Sequence, residues 1–500
     1  MRLAAVTPRV LSLSLLLAGT TACREQPPAT TTPTTTAVDA PAPAPTPEST
    51  GSFWVGVLKL PGDQTLDWAL EFQPTSEGSS VSKLWIPAQG VGGVTISPAR
   101  VVDEPAGSFA VSWPDIGAEW LIVTGNEPSC FFSQHGMTFE CQVEGVDAEA
   151  FAAHTSLPPR SQTPKAPFPY AIEEVRFDNP DAAGVALAGT LTIPDGPGPH
   201  PGVVLLSGSG PQDRDEALFG HQPFWVLADH LSRNGIAVLR FDDRGVGQST
   251  GAREQTTMVD YAGDGWAAVR YLAGRPEIAR SKIGVIGHSE GGVTGPMIAA
   301  DHPEDVAFVV MLAGTGVPGA AIIEHQTRLL LEAMGSPAAT IDTAVAASAN
   351  LHRIIRETPA EQLDAALAAE LRTQIIASIV PGGQSVDEAV ADQLKVVGSP
   401  WYRHFVTWDP APVLRKLKVP VLVLNGELDL QVDPDQNLPA IEAALKKNRR
   451  AKVIRFPGLN HLFQPAKTGT VQEYGQIDTT IDPAVLAAIS QWLREINGLD

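Results

Sequence analysis

Positive charge is scarce in this chain. Its 35 Lys and Arg stand against 56 Asp and Glu, a formal net charge of −21 over 500 residues. That balance argues against nucleic acid or an anionic surface as partner, since both are bound through clustered cations. Cysteine is scarcer still: there are three, at positions 23, 130 and 141. Neither Cys130 nor Cys141 has a His or Asp at a metal-binding spacing, so neither a metal nor a cofactor is expected. Long apolar runs are missing too. Beyond the first two dozen residues no stretch approaches the roughly 20 apolar residues that a bilayer-spanning helix needs. What is present is 43% hydrophobic and 18% charged sequence, enough to bury a large core in about two to three domains.

The N-terminus stands apart from the rest. Arg2 and Arg9 precede the apolar run Val10 to Gly19, and small residues follow up to Ala22. This is the layout of a secretory signal, too short to span a membrane. Cys23 directly after it resembles the bacterial lipoprotein signal, in which that cysteine becomes the lipidated first residue. The family pattern prefers Leu three places earlier, where Thr20 stands. The expectation is a signal peptide over 1–22, lipidation of Cys23, and an exported, membrane-anchored protein of the cell envelope facing the periplasm or exterior. An exported protein without an anchor is the alternative. Residues 23–52, rich in Pro, Thr and Ala, cannot form a core and read as a tether. In an oxidising compartment Cys130 and Cys141 can close a disulfide, and the ten residues between them suit a strand-turn-strand staple. Two free thiols are the other reading.

Two patterns divide the remainder. Residues 53–160 carry short segments such as FWVGVLKL, LDWALEFQ, SKLWIPA, SFAVSW and EWLIVTG, separated by turn residues, which predicts a small antiparallel β domain. Trp54, Trp68, Trp85, Trp113 and Trp120 fall within these segments and read as core rather than as a ligand box. From 161 to 500 strands alternate with helices, the pattern of a mostly parallel sheet covered on both faces. Its strands, among them PGVVLLSGSG, IAVLRFDDRG, KIGVIGHS, VAFVVMLAG, VPVLVLNGELD and AKVIRFPGLNH, are nearly continuous Val/Ile/Leu runs, as burial on both faces requires. The alternation stops between about 319 and 407, where Ala, Leu, Glu and Ile predominate without a convincing strand. A helical cap insertion is expected there.

The sequence Gly287-His288-Ser289-Glu290-Gly291 follows an apolar strand and precedes a helix. A sharp strand-to-helix turn needs glycines for close backbone approach, and it presents the serine hydroxyl at the sheet edge. Serine attacks only when a base takes its proton, and that base must be oriented by a carboxylate. In such an α/β-hydrolase fold the order is Ser, acid, His. His461, closing the last strand, is the expected base; His302, His325, His352 and His404 also follow Ser289 but read as surface or packing residues. Asp429, in the turn after VPVLVLNG, is the expected acid over Glu427, Asp433 and Asp435. The oxyanion donors should be the backbone N–H groups of Glu290 and of Ser209 in Ser207-Gly208-Ser209-Gly210. PQDRDE at 211–216 reads as a salt-bridged loop bracing that turn, and FDDRGVGQS at 241–249 as holding a structural arginine.

The segments LSGSGPQDRDE, LRFDDRGVGQSTG, IGVIGHSEGG, SPWYRHFVTWDP and FPGLNHLFQ together resemble a bacterial branch of the serine-aminopeptidase-like α/β-hydrolases, over roughly Tyr170 to the C-terminus. The resemblance implies a carboxylesterase acting on short acyl esters, with Ser289, Asp429 and His461 as triad and Ser209 and Glu290 as oxyanion donors. The substrate would then be a small-molecule ester. Two rivals stand beside it: a peptidase or amidase with the same triad, and a surface-tethered binding protein without catalysis. Oligomeric state is not legible.

Overall fold

The computed structural model describes residues 52–60, 64–74, 80–86, 91–96, 100–102, 108–113, 118–123, 128–134, 137–155, 160–376 and 385–499. The expected signal, Cys23 and nearly all of the tether lie outside them. The described residues form two compact units, divided near residue 158.

The first unit is one antiparallel sheet of nine strands: β1 Ser52–Leu60, β2 Gln64–Pro74, β3 Ser80–Ile86, β4 Val91–Ile96, β5 Arg100–Val102, β6 Ser108–Trp113, β7 Ala118–Val123, β8 Ser129–Gln134 and β9 Met137–Val146. Their order is β4-β3-β2-β1-β9-β8-β7-β6-β5. Alternation along β2 buries Trp68, Leu70 and Phe72, and Trp68 meets Trp120 of β7 at 6.1 Å between ring centroids. Both tryptophans are core. Trp85 turns to a second cluster, edge-on to Phe151 of the helix α1 Ala148–Thr155. That helix is too short for its periodicity to be read; Asp147 starts it by accepting the Ala150 N–H at 2.8 Å. Strands β4 and β5 also lie beyond the patterning, one carrying two glycines and the other only three residues long. Cys130 and Cys141 lie directly opposite each other on β8 and β9 and are disulfide-bonded.

The second unit is built on eight strands: β10 Tyr170–Asp178, β11 Ala186–Pro194, β12 His200–Leu206, β13 Ala237–Phe241, β14 Ile278–His288, β15 Val309–Leu312, β16 Val421–Gly426 and β17 Ala451–Phe456. The order is β10-β11-β13-β12-β14-β15-β16-β17. The two pairings at the start are antiparallel and all those from β13 to β17 are parallel. Successive strand residues point to opposite faces, so the continuous apolar runs feed two cores. Val203, Leu205, Ile286 and Val310 pack under the helices α2 Pro223–Arg233 and, at the C-terminus, Pro483–Asn497. Val204, Leu206, Val285 and Val309 pack under α3 Met258–Ala273, α4 Gly291–Asp301 and the later helix Pro434–Leu445.

Between β15 and β16 the described chain contains helices alone: α5 Gly319–Ala333, α6 Ala338–Glu357, α7 Ala360–Ile376, α8 Val386–Val397, α9 Pro400–Thr407 and the short α10 Ala411–Leu414. This is the cap. Because β13 and β14 lie on opposite sides of β12, the chain changes winding direction there and leaves a crevice at the carboxyl ends of these strands. No helix among the described residues is long and apolar enough to cross a membrane.

Candidate active site

Ser289 stands in that crevice at a backbone φ of +53°, a left-handed conformation that costs a non-glycine residue of order 1–3 kcal/mol and persists only where its surroundings enforce it. Here they do. Its N–H donates to Leu312 O at 2.8 Å, fixing the turn to the end of β15. A Cβ on Gly287 would come within 1.9 Å of Gly291 O, and one on Gly291 within 2.1 Å of Leu206 O. The glycines flanking the serine therefore permit a turn that any side chain would open.

The acid and base meet on the neighbouring loops. After β16 the chain turns so that Asp429 Oδ1 accepts the N–H groups of Gln431 and Val432 at 2.9 and 2.8 Å, while Oδ2 accepts Asn425 Nδ2 at 3.1 Å. The second oxygen also bonds His461 Nδ1 at 2.8 Å. An ionised carboxylate only accepts, so Nδ1 carries a proton and Nε2 of the neutral ring is bare, as the expected base requires. The loop after β17 is held by Asn460, whose Oδ1 accepts the N–H groups of Leu462 and Gln464. It can approach the acid turn because residue 426 is glycine: a Cβ there would meet Leu459 O at 2.4 Å and Asn460 O at 2.5 Å. Ser289 Oγ makes no hydrogen bond to His461 in this structure. In free enzymes such contacts are often long and tighten with substrate.

The segment after β12 is organised residue by residue. Asp213 Oδ1 accepts the N–H groups of Asp215 and Ala217 at 3.0 Å each, closing a tight turn. Arg214 clamps Asp242 with two nitrogens, Nε to Oδ1 at 3.0 Å and Nη2 to Oδ2 at 2.8 Å. Asp215 pairs with Arg240. Glu216, at φ +51°, turns back so that its Oε1 accepts the Gly208 N–H at 2.6 Å and bonds His288 Nδ1 at 2.9 Å. Beneath the same loop Asp243 accepts Ser207 Oγ and the Gln212 N–H, both at 2.9 Å; complete burial pushes its carboxyl well above the usual range. Arg244 grips Asp264 through Nε and Nη2. With Gly208 engaged, the N–H groups of Ser209 and Glu290 remain without a partner inside the protein among the described residues. Glu290 also begins α4, whose N-terminal amides favour negative charge.

The side chain of Glu290 reaches to the cap. Its Oε1 accepts the indole N–H of Trp401, on cap helix α9, at 2.9 Å, and Oε2 has no hydrogen-bond partner. Full burial, partly offset by the indole, pushes this carboxyl up to about 7. It borders a small cavity of about 20 Å³, also lined by Ser207, Asp243, Tyr261 and Thr294, wide enough for one water.

A family model described as serine aminopeptidase, S33, matches residues 223–396, a stretch that holds Ser289 and Glu290 and ends before Asp429 and His461. Esterase EstD of Thermotoga maritima is 28% identical over 329 residues, covering 65% of this chain and 69% of its own length. The second unit has the α/β-hydrolase fold. Solved structures similar to the hydrolase include an esterase of Pyrococcus furiosus (15% identity, 68% of this chain and 97% of that one, TM-score 0.41). Another is Est1E of Butyrivibrio proteoclasticus, determined with ferulic acid bound (17% identity, 65% and 97%, TM-score 0.38).

Among the rival residues, none of the other histidines that follow Ser289 bonds Asp429. His302 stacks on Trp266, His325 bonds Asp433, His352 lies between Glu324 and Tyr402, and His404 packs beside Trp408. The rival carboxylates are engaged elsewhere: Glu427 accepts the Gly458 N–H, Asp433 caps its own helix, and Asp435 pairs with Arg455. The sequence alone assigns no role to Glu216, His288 or Trp401. Each sits inside a segment whose motif stands out, but as side chains their importance depends on partners far away in the chain.

Proposed function

We propose that the hydrolase cleaves carboxylic esters through an acyl-enzyme on Ser289. Asp429 holds His461 with Nε2 bare, His461 takes the serine proton as Oγ attacks the carbonyl, and the tetrahedral oxyanion settles between the N–H groups of Ser209 and Glu290. As the intermediate collapses, the ester C–O bond breaks and His461 gives its proton to the departing alcohol; the same base then takes a proton from water, which attacks the acyl-enzyme and releases the acid and Ser289. The His461–Asp429 bond carries this reading, because it orients an imidazole that packs against His288, the residue before the serine on its strained strand-to-helix turn. The esterase relative supports ester over amide, and a preference for short acyl chains follows from the resemblance of the motifs.

Labelling with a fluorophosphonate probe tests the nucleophile: the wild type is modified at Ser289 and Ser289→Ala is not. Turnover of short p-nitrophenyl esters against aminoacyl anilides tests the bond, and a preference for anilides would favour the peptidase that the matching family's description suggests. If Ser289→Ala left the protein's activity intact, the non-catalytic binding role would stand instead. We also propose that Cys23 anchors the protein in the cell envelope; Cys23→Ala should move it from the membrane to the soluble exported fraction.

A further inference from the structure

A second histidine–carboxylate pair lies beside the first. His288 and Glu216 are both more than nine-tenths buried, and the ring centroids of His288 and His461 are 4.8 Å apart. Neither residue is needed to attack, to take the serine proton or to hold the oxyanion, yet their hydrogen bonds reach every part that does. Glu216 Oε1 takes the Gly208 N–H at 2.6 Å, the amide just before Ser209. His288, adjacent to Ser289 in the chain, joins Glu216 through Nδ1 at 2.9 Å and the backbone carbonyl of His461 through Nε2 at 3.1 Å.

The proton count follows from the partners. A backbone carbonyl only accepts, so Nε2 must carry hydrogen. A neutral ring would then present a bare Nδ1 to a carboxylate, two acceptors face to face, so a proton must lie between Nδ1 and Oε1. The arrangement is an imidazolium on a carboxylate. Consistent with this, burial alone would lower the His288 pKa, and the Glu216 charge and hydrogen bond, with the His461 carbonyl and the Asp429 charge, together more than offset it, leaving the ring above its ordinary value.

A buried ion pair is a weak source of stability, since apolar replacements are often as good, and Glu216 additionally holds a strained φ. What the pair does supply is position. A Cβ built on Gly208 would lie 3.5 Å from Ser289 Cβ, so the oxyanion loop rests directly on the nucleophile, and small displacements there alter the chemistry.

We propose that Glu216 and His288 are a positioning pair for acyl transfer, clamping the oxyanion loop, the nucleophile turn and the loop of the base into one register. The pair acts through Gly208 and His461 and does not touch substrate. This inference rests on the esterase reading above.

In Glu216→Gln the amide oxygen can keep the Gly208 N–H, but a neutral His288 can no longer satisfy both that oxygen and the His461 carbonyl from the same rotamer. The expected result is a 10- to 100-fold loss of kcat, of order the cost of misplacing a reacting group by about 1 Å, with KM within about threefold. The rate of fluorophosphonate labelling should fall by a similar factor. Glu216→Asp, which keeps the charge on a shorter arm, should fall between the wild type and Glu216→Gln, and His288→Gln should match Glu216→Gln. Folded protein, judged by near-ultraviolet circular dichroism, with kcat within twofold of wild type would overturn the proposal. So would a raised KM at unchanged kcat, or failure of both Gln variants to fold, which would make the pair part of the core. Failure of the esterase reading looks different: wild-type Ser289 itself would not label, and the inference would fall with it.

Discussion

Replacing Asp429 by Asn separates the orienting carboxylate from its geometry, and the structure fixes how the new amide must sit. Oδ1 accepts two backbone N–H groups, from Gln431 and Val432. An amide nitrogen there would face two donors at once, so the Asn oxygen must keep that place. The NH₂ group then replaces Oδ2, opposite His461 Nδ1 and Asn425 Nδ2. Donating to Nδ1 forces the other histidine tautomer, with hydrogen on Nε2 where the serine proton must go. Since catalysis needs Nε2 bare, kcat should fall on the order of 10⁴-fold, about 5 kcal/mol of transition-state stabilisation. The donor opposite Asn425 should lower stability by about 1–3 kcal/mol, leaving a folded protein. Stopped-flow and steady-state hydrolysis of p-nitrophenyl acetate measure the first effect and thermal unfolding the second. Glu427→Gln serves as the control, because that carboxylate bonds Gly458 and not the base; its kcat should stay within a few-fold. If Asp429→Asn retained a tenth of wild-type kcat, the assignment of the acid would be wrong.

Glu290 gives a pH signature. Its carboxyl is held at about 7 against an ordinary 4.5, so between those values the folded chain keeps a proton that the unfolded chain has released. Stability therefore falls as pH rises through that window, by roughly 3 kcal/mol in all, and levels off above it. Glu290→Gln should remove this fall, gaining on wild type in unfolding midpoint between pH 5 and 8; an unchanged difference across that range refutes it. Trp401→Phe removes the indole donor from Glu290 Oε1, leaving neither oxygen with a protein partner, and should destabilise by about 1–3 kcal/mol in urea unfolding at pH 8. Opening the Cys130–Cys141 link, which closes a loop of 11-residue separation, should cost the first unit somewhat under about 3 kcal/mol on the chain-entropy account, measured by the unfolding midpoint of Cys130→Ala/Cys141→Ala.

The sheet of the second unit was legible because its strands are buried on both faces and so spell continuous apolar runs, as in VVLL and VLVL. Ser289, Asp429 and His461 stood out as candidates because each closely follows such a run. Strand β4 and helix α1 were not, since two glycines in one and eight residues in the other leave too little pattern for any period to emerge. Glu216 escaped for a different reason. Its role depends on a left-handed backbone angle set by Asp213 and on a histidine 72 positions away, and no local pattern encodes either. Trp401 is similar: an indole in a helical segment reads as packing until its partner 111 residues earlier is in view.

The root of the cap has a consequence for how such a molecule can change. β15 and β16, which bracket the cap, are adjacent parallel strands, Val309 opposite Val421, and the Gly319 N–H bonds Trp408 O at 3.1 Å where the chain leaves and returns. The two ends of the insertion are thus joined by the body whatever lies between them. Closing a longer segment on a fixed root adds only about 0.6 kcal/mol for each doubling of length, so lengthening or exchanging helices there costs little in chain closure, and what must be kept is the apolar cover that residues such as Ile322 and Leu367 share with the sheet's core. One constraint survives every exchange: whatever replaces Trp401 must still offer a donor to Glu290. The insertion can thus be rewritten as a module while the paired strands that lead to Ser289 and Asp429 stay fixed.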